Sequence, residues 1–245
     1  MTDLLTKNKT RWAACKVNPS KLPLFNSVVN RLNNPTAVAR YKAVEAKTKV
    51  PWWFIAVAHE REASQRWDRS LAQGDPWNKR SIHVPAGRGP FTSWEDAAVD
   101  ALVNCAPFAA KNKDWSAAGA LTLLEKYNGL GYSQRGLPSP YIWAGTDQYT
   151  KGKYVADGVF NPNTVDSQLG CAGLLKQMKV FSTSSVTGKQ VATGGGIVAV
   201  AMATMGAAWQ FGASHWPWFL AAGFSAGFFA LLYSYLKQGN ENVQP

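Results

Sequence analysis

The 245-residue chain is short of acid: 15 Asp and Glu stand against 26 Lys and Arg, a formal net charge of +11. Near its end it is short of charge altogether, with no Asp, Glu, Lys or Arg from Gln190 to Leu236. After Lys189 only Lys237 and Glu241 are charged, so the whole positive excess lies in residues 1–189. Cysteine is scarce too. Cys15, Cys105 and Cys171 are widely spaced and form no Cys-x-x-Cys pair, which excludes a disulfide scaffold and predicts small buried or free thiols instead of zinc ligands. Residues 1–23 lack the uninterrupted apolar core of a secretory signal, so no cleavable export signal is read there. Convincing period-two alternation is also missing, and any sheet must be small. What is abundant excludes disorder: 46% hydrophobic residues and 11 Trp are too much apolar surface to leave in water.

The uncharged region divides into two apolar stretches, Gly194–Ala213 and Pro217–Leu236, separated by Ser214-His215-Trp216. Each is close to the length that crosses ~30 Å of hydrocarbon as a helix. Pro217 suits the first turn of the second helix, Trp216, Trp218, Tyr233 and Tyr235 suit the interfaces, and Gly206, Gly212, Gly223 and Gly227 allow close approach. A two-span transmembrane hairpin over residues 197–236 is the expectation; a buried helical pair of a soluble domain is the alternative. Lys176, Lys179 and Lys189 precede the first span and Lys237 follows the second, whereas the connecting turn has no Lys or Arg, so the charge bias places both ends on the cytoplasmic side. Residues 182–196 are rich in Ser, Thr and Gly and read as a flexible linker, and 237–245 as a short polar tail.

Residues 1–181 carry helical punctuation and are long enough for one domain with its own core. Helices are predicted from Ser20 or Pro23 to Leu32, over Trp52–Gln65 after Pro51, over Trp94–Ala110 after Ser93, and over Trp115–Tyr127 after Asp114. Asn128-Gly129 stops the last of these. Gly74–Thr92 and Gly129–Pro140 are long Gly- and Pro-rich loops, and Asp157–Asn163 is rich in turn residues. Loops of that length in a compact domain usually carry function. The fold class expected is mainly α, a helical domain with long functional loops plus the C-terminal hairpin.

The densest ionisable cluster is Ala58-His59-Glu60-Arg61-Glu62-Ala63-Ser64, at the end of the Trp52–Gln65 helix. His59 and Glu62 share a helix face with Ile55. A carboxyl at the mouth of an apolar helix has its protonated form favoured, as a general acid at neutral pH requires. A solvated helix end has the same composition. A zinc site of the His-Glu-x-x-His kind would need a second His where Ala63 stands.

The stretch Phe54–Ser64, FIAVAHEREAS, with KYNGLGY downstream, resembles the lysozyme-like superfamily of lytic transglycosylases and goose-type lysozymes. His59-x-x-Glu62-x-Ser64, Gly74-Asp75-Pro76, His83-Val84-Pro85-Ala86-Gly87, Trp94-Glu95, Tyr127-Asn128-Gly129-x-Gly131-Tyr132 and Pro138-Ser139-Pro140-Tyr141-x-Trp143 resemble, in that order, a family of bacterial and phage lysozyme-like proteins over about residues 40–178. The resemblance implies a muralytic enzyme of the phage endolysin type, cleaving peptidoglycan glycan strands between N-acetylmuramic acid and N-acetylglucosamine without a metal or cofactor. Glu62 is then the general acid, with Tyr127 and Asn128 lining the sugar cleft. Members usually have Ser directly after the catalytic Glu; here Ala63 intervenes before Ser64.

Asp75 is the candidate second acid, or else an Asp bonding its own loop ahead of Pro76. His83 binds substrate or braces the loop, and His59 orients Glu62 or packs. Ser64 joins the substrate-binding candidates. Of the aromatics Trp67, Trp77, Trp94, Tyr132, Tyr141 and Trp143, the loop residues Trp77 and Tyr132 are the first candidates for sugar stacking. Arg66, Arg69, Lys79, Arg80, Arg88 and Arg135 form no dense block of the kind that binds nucleic acid; they suit an anionic cell-wall polymer or a membrane surface. The expected partners are glycan strands, the lipid bilayer and phage lysis or virion proteins. The competing classes are a non-catalytic membrane-anchored wall-binding protein and a virion-associated envelope-penetration protein.

Overall fold

A computed structural model of the chain describes residues 3–181 apart from Gln73, Val84 and Asp157. The linker, the hairpin and the polar tail expected over 182–245 lie outside the described residues. Among those described, no helix is long and apolar enough to cross a membrane.

The described part is mainly helical. In chain order come α1 (Leu4–Ala14), α2 (Leu22–Leu32), α3 (Pro35–Thr48), α4 (Trp52–Ala63), α5 (Trp94–Asn104), α6 (Ala117–Asn128), α7 (Gly131–Gln134), α8 (Pro140–Trp143), the strands β1 (Lys153–Ala156) and β2 (Val159–Asn161), and α9 (Cys171–Gln177). The central element is α4, whose residues Phe54 to Ala58 and His59 are sealed from solvent on every side, as expected of a helix that is apolar all round. Helices α3 and α9 pack against α4, α5 lies on α3, and α1 lies on α6. Large side chains fill the interior, among them Phe25, Tyr41, Phe54, Trp94 and Trp143. Gly170, just before α9, is pressed against α8 so closely that a β-carbon there would stand 2.5 Å from the Ile142 carbonyl.

Where the helices begin follows local chemistry. Asp3, Asn34, Ser93 and Ser116 each accept a backbone N–H of the first turn, capping α1, α3, α5 and α6. Ser116, two residues after the Asp114 expected to cap, is thus the cap of α6. Helix α5 ends at Asn104 and not at Ala110, because Pro107 has no N–H to continue the ladder. The turn-rich segment near Asp157 is an antiparallel hairpin in which Lys153 faces Asn161 and Tyr154 faces Phe160. All three cysteines are free and buried.

The end of α4 is over-determined. Ser64 and Gln65 both take left-handed backbone, φ 52° and 57°, at a cost of roughly 1–2 kcal/mol each for residues with a β-carbon. Arg31 Nη1 donates to the Ser64 carbonyl at 2.9 Å, and Gln65 Nε2 donates to the Tyr41 hydroxyl at 3.1 Å. These contacts fix the last turn, and with it the direction of Glu62.

Candidate active site

Glu62 opens onto a cleft of about 480 Å³ whose lining includes Arg61, Asn128, Gly129, Tyr132, Tyr141, Lys153, Tyr154, Asp166 and Gln168. One wall is the end of α4 with α8, another the turn from α6 into α7, and the third the β-hairpin with the segment before α9. The Tyr141 hydroxyl donates to Glu62 Oε1 at 2.8 Å. Burial pushes the Glu62 carboxyl up to about 7, against the opposing pull of the Tyr141 hydrogen bond and the Arg61 charge. A group poised there holds its proton at neutral pH and can give it away, which is the property expected of a general acid.

The cleft has a second carboxyl, Asp166, but both its oxygens are engaged. Arg61 Nη2 meets Oδ2 at 3.0 Å and Lys153 Nζ meets Oδ1 at 2.8 Å. Burial works to raise Asp166, yet the two cations prevail and hold it below the usual carboxylate range. The guanidinium of Arg61 lies 4.7 Å from the Tyr141 ring centre and donates from Nη1 to the Leu169 carbonyl at 3.2 Å.

Of the candidates singled out in the sequence, Glu62, Asn128, Tyr132 and Tyr141 meet in this cleft. The Tyr132 hydroxyl accepts the Tyr154 N–H at 2.9 Å, which ties the α7 turn to the hairpin. Tyr132, Tyr154 and Phe160 stack edge to face, with Arg135 over the last two. Tyr127 lies behind the wall. Its hydroxyl donates to the Leu71 carbonyl at 2.9 Å and holds the 70s loop against α6.

The other candidates stand elsewhere. His59 is fully buried among Tyr41, Trp67 and Trp94, with Nδ1 3.1 Å from the Tyr41 hydroxyl and Nε2 3.0 Å from the Arg66 carbonyl. Burial drives it down to about 4, so it is a neutral core residue, and it is not part of the cleft lining. Ser64 is the exposed left-handed cap of α4. Asp75 turns into its own loop: it accepts from the backbone N–H groups of Ile82 and His83, each at 2.9 Å, and pairs with His83 Nδ1 at 2.6 Å. Those hydrogen bonds, led by the one from the His83 backbone, keep it ionised and below its ordinary value. Asp75 and His83 therefore brace the loop and do not line the cleft. Trp77 donates its indole N–H to the Trp67 carbonyl at 2.8 Å and packs against the core; its position in a Gly-rich loop was no guide to exposure. Trp94 and Trp143 are interior residues, and Trp67 is half-buried against the same core. Much of the basic rim is already paired, Arg66 and Arg69 with Asp68 and Arg88 with Asp100.

Arg61, Lys153, Asp166 and Gln168 were not anticipated. Arg61 was read only as part of the charged cluster around Glu62, and Asp166 is 105 residues from it in the chain, with no local pattern to connect the two. Among the described residues, no cluster of three or more His, Cys, Asp or Glu side chains could hold a metal ion. No family model, curated protein or solved structure matches the chain.

Proposed function

We propose that this protein cleaves peptidoglycan glycan strands between N-acetylmuramic acid and N-acetylglucosamine, with Glu62 as the general acid. The observation that carries the reading is a carboxyl raised to about 7 by burial, open to a cleft walled by amide, phenol and ammonium groups. Asn128, Gln168 and Tyr132 offer the donors and acceptors that acetamido and hydroxyl groups of a sugar require. The resemblance of the Phe54–Ser64 and Tyr127–Tyr132 segments to lysozyme-like proteins points the same way.

In the proposed step Glu62 gives its proton to the glycosidic oxygen as the bond to the anomeric carbon breaks. Inverting hydrolysis needs a second carboxylate positioned to activate water. Asp75 is committed to its loop, and Asp166 is committed to Arg61 and Lys153. The arrangement therefore favours attack by the muramic acid 6-hydroxyl on the anomeric carbon. Glu62, ionised by the first transfer, takes the hydroxyl proton and is restored, leaving an anhydro end. The uncharged residues 197–236 would anchor this enzyme in a bacterial inner membrane, and the flanking lysines would keep the domain on the cytoplasmic side until membrane rupture or reorientation admits it to the wall.

The test uses the full chain in mild detergent on purified peptidoglycan sacculi. Soluble fragments from the wild type and their loss in Glu62→Gln support the reading. Sacculi that bind both proteins and release nothing would make the chain a wall-binding protein instead.

A further inference from the structure

Arg61 and Glu62 are neighbours on the last turn of α4, and the Arg61 guanidinium lies over the ring of Tyr141, the residue that donates to Glu62. A cation so placed works against a proton on Glu62. Lys153 brings a second cation to the same cleft from β1. Asp166 meets both. Its two oxygens are divided between Arg61 at 3.0 Å and Lys153 at 2.8 Å, and the Gln168 backbone N–H donates to Oδ1 at 3.2 Å. The side chains of Arg61 and Asp166 are 5% and 2% exposed, whereas that of Lys153 is 33% exposed.

The remaining titratable groups around Glu62 add little charge. Tyr127 on α6, Tyr141 on α8 and Cys171 on α9 are held neutral by burial. Glu60, two residues earlier on α4 and directed away from Glu62, is paired with Arg31. Among the charged groups, Arg61 bears on Glu62 directly, Lys153 and Asp166 line the same cleft, and Asp166 joins the two cations.

We propose that Asp166 is a positioning residue for the acid: its paired oxygens hold the Arg61 guanidinium against Tyr141 and Leu169 and offset the field of both cations at the Glu62 carboxyl. Its meaning for turnover rests on the proposed function, but its test does not, because the Glu62 proton can be followed without substrate.

The full chain, labelled at the glutamate carboxyl carbons, is titrated by NMR in detergent. The glutamates are Glu45, Glu60, Glu62, Glu95, Glu125 and Glu241, and the Glu62 resonance is identified by its loss in Glu62→Gln. Asp166→Asn leaves two uncompensated cations and lowers the Glu62 midpoint by about one unit, whereas Lys153→Met removes one cation and raises it by about half a unit. Lys153→Arg restores the wild-type value. Shifts in opposite directions are not produced by general loosening of the fold. An unmoved midpoint in both variants, or movement in the same direction, overturns the proposal. Should Asp166→Asn fail to fold, Lys153→Met decides alone, and a midpoint that stays or falls overturns it. A chain that shows these shifts yet releases nothing from sacculi would leave the charge arrangement standing and remove the enzymatic reading.

Discussion

Replacing Glu62 by Gln should stabilise the protein, and only above a definite pH. The folded carboxyl titrates at about 7 and the unfolded one near 4.5. Below the lower value both states are protonated and burial of Glu62 carries no ionisation penalty. As pH rises, the unfolded chain ionises first, so the native state is progressively penalised; above the upper value the penalty is complete. At 1.36 kcal/mol per unit the full shift corresponds to about 3 kcal/mol, and because the cleft mouth screens part of it we expect about 2–3 kcal/mol. The amide keeps an oxygen for the Tyr141 hydroxyl, so the substitution removes the charge and little else. His59 slopes the opposite way. It is neutral in the fold, with its value depressed to about 4, so its contribution is present above the ordinary 6.5 and is lost as pH falls toward 4. The two slopes nearly cancel in the wild type, and the difference between the two proteins is the informative quantity. Urea unfolding of both full chains in the same detergent, followed by near-ultraviolet circular dichroism from about pH 4 to about pH 8, should give coincident stabilities at the acid end and a gap of about 2–3 kcal/mol in favour of Glu62→Gln at the other. A gap independent of pH, or a less stable variant at about pH 8, would refute the claim that the Glu62 carboxyl is desolvated.

Other substitutions separate the cleft from the scaffold. Tyr141→Phe removes the hydrogen bond that favours the ionised carboxylate, so the upper limb of the pH–activity profile should move to higher pH; a lower limb would contradict the assigned role. Asp75→Asn should cost about 1–2 kcal/mol in a urea melt, through weakened bonds to Ile82 and His83, while keeping sacculus cleavage within about tenfold of wild type; a loss as large as that of Glu62→Gln would return Asp75 to the chemistry. His59→Leu leaves the Arg66 carbonyl and the Tyr41 hydroxyl without their imidazole partner, and should cost about 2–4 kcal/mol with kcat/KM of the folded fraction unchanged. Gly170→Ala drives a methyl group into the Ile142 carbonyl and should cost about 2–3 kcal/mol, measured in the same melts.

The helix that carries the acid was legible because its signals are local: Pro51 before it, a continuous apolar run through it, and a charged cluster at its end. Helix α1 was missed because LLTKNKTRWAA buries little more than Asn8 and shows almost no apolar stripe. Helix α3 was missed although its signals are local: Ala37, Tyr41, Val44 and Thr48 recur at helical spacing behind the Asn34-Pro35 start. In the site, residue types pointed to Glu62, Asn128 and Tyr132, but not to which polar groups were already satisfied. Asp75 and His83 looked free to act and are consumed by each other; His59 looked like a partner of Glu62 and belongs to the Tyr41–Trp67–Trp94 cluster. Tyr141 was one aromatic among several until folding brought its hydroxyl to a carboxyl 79 residues away. Pairings made across the chain leave no periodic trace in sequence.

The central claim is that Glu62 protonates a glycosidic bond in peptidoglycan, and mass spectrometry of the fragments released from sacculi tests it most directly. The account predicts disaccharide-peptides from the wild type that end in anhydro-muramic acid, each lighter by one water than its hydrolysed counterpart, and none from Glu62→Gln. Fragments appearing in equal amount from both proteins, or from neither, would contradict it.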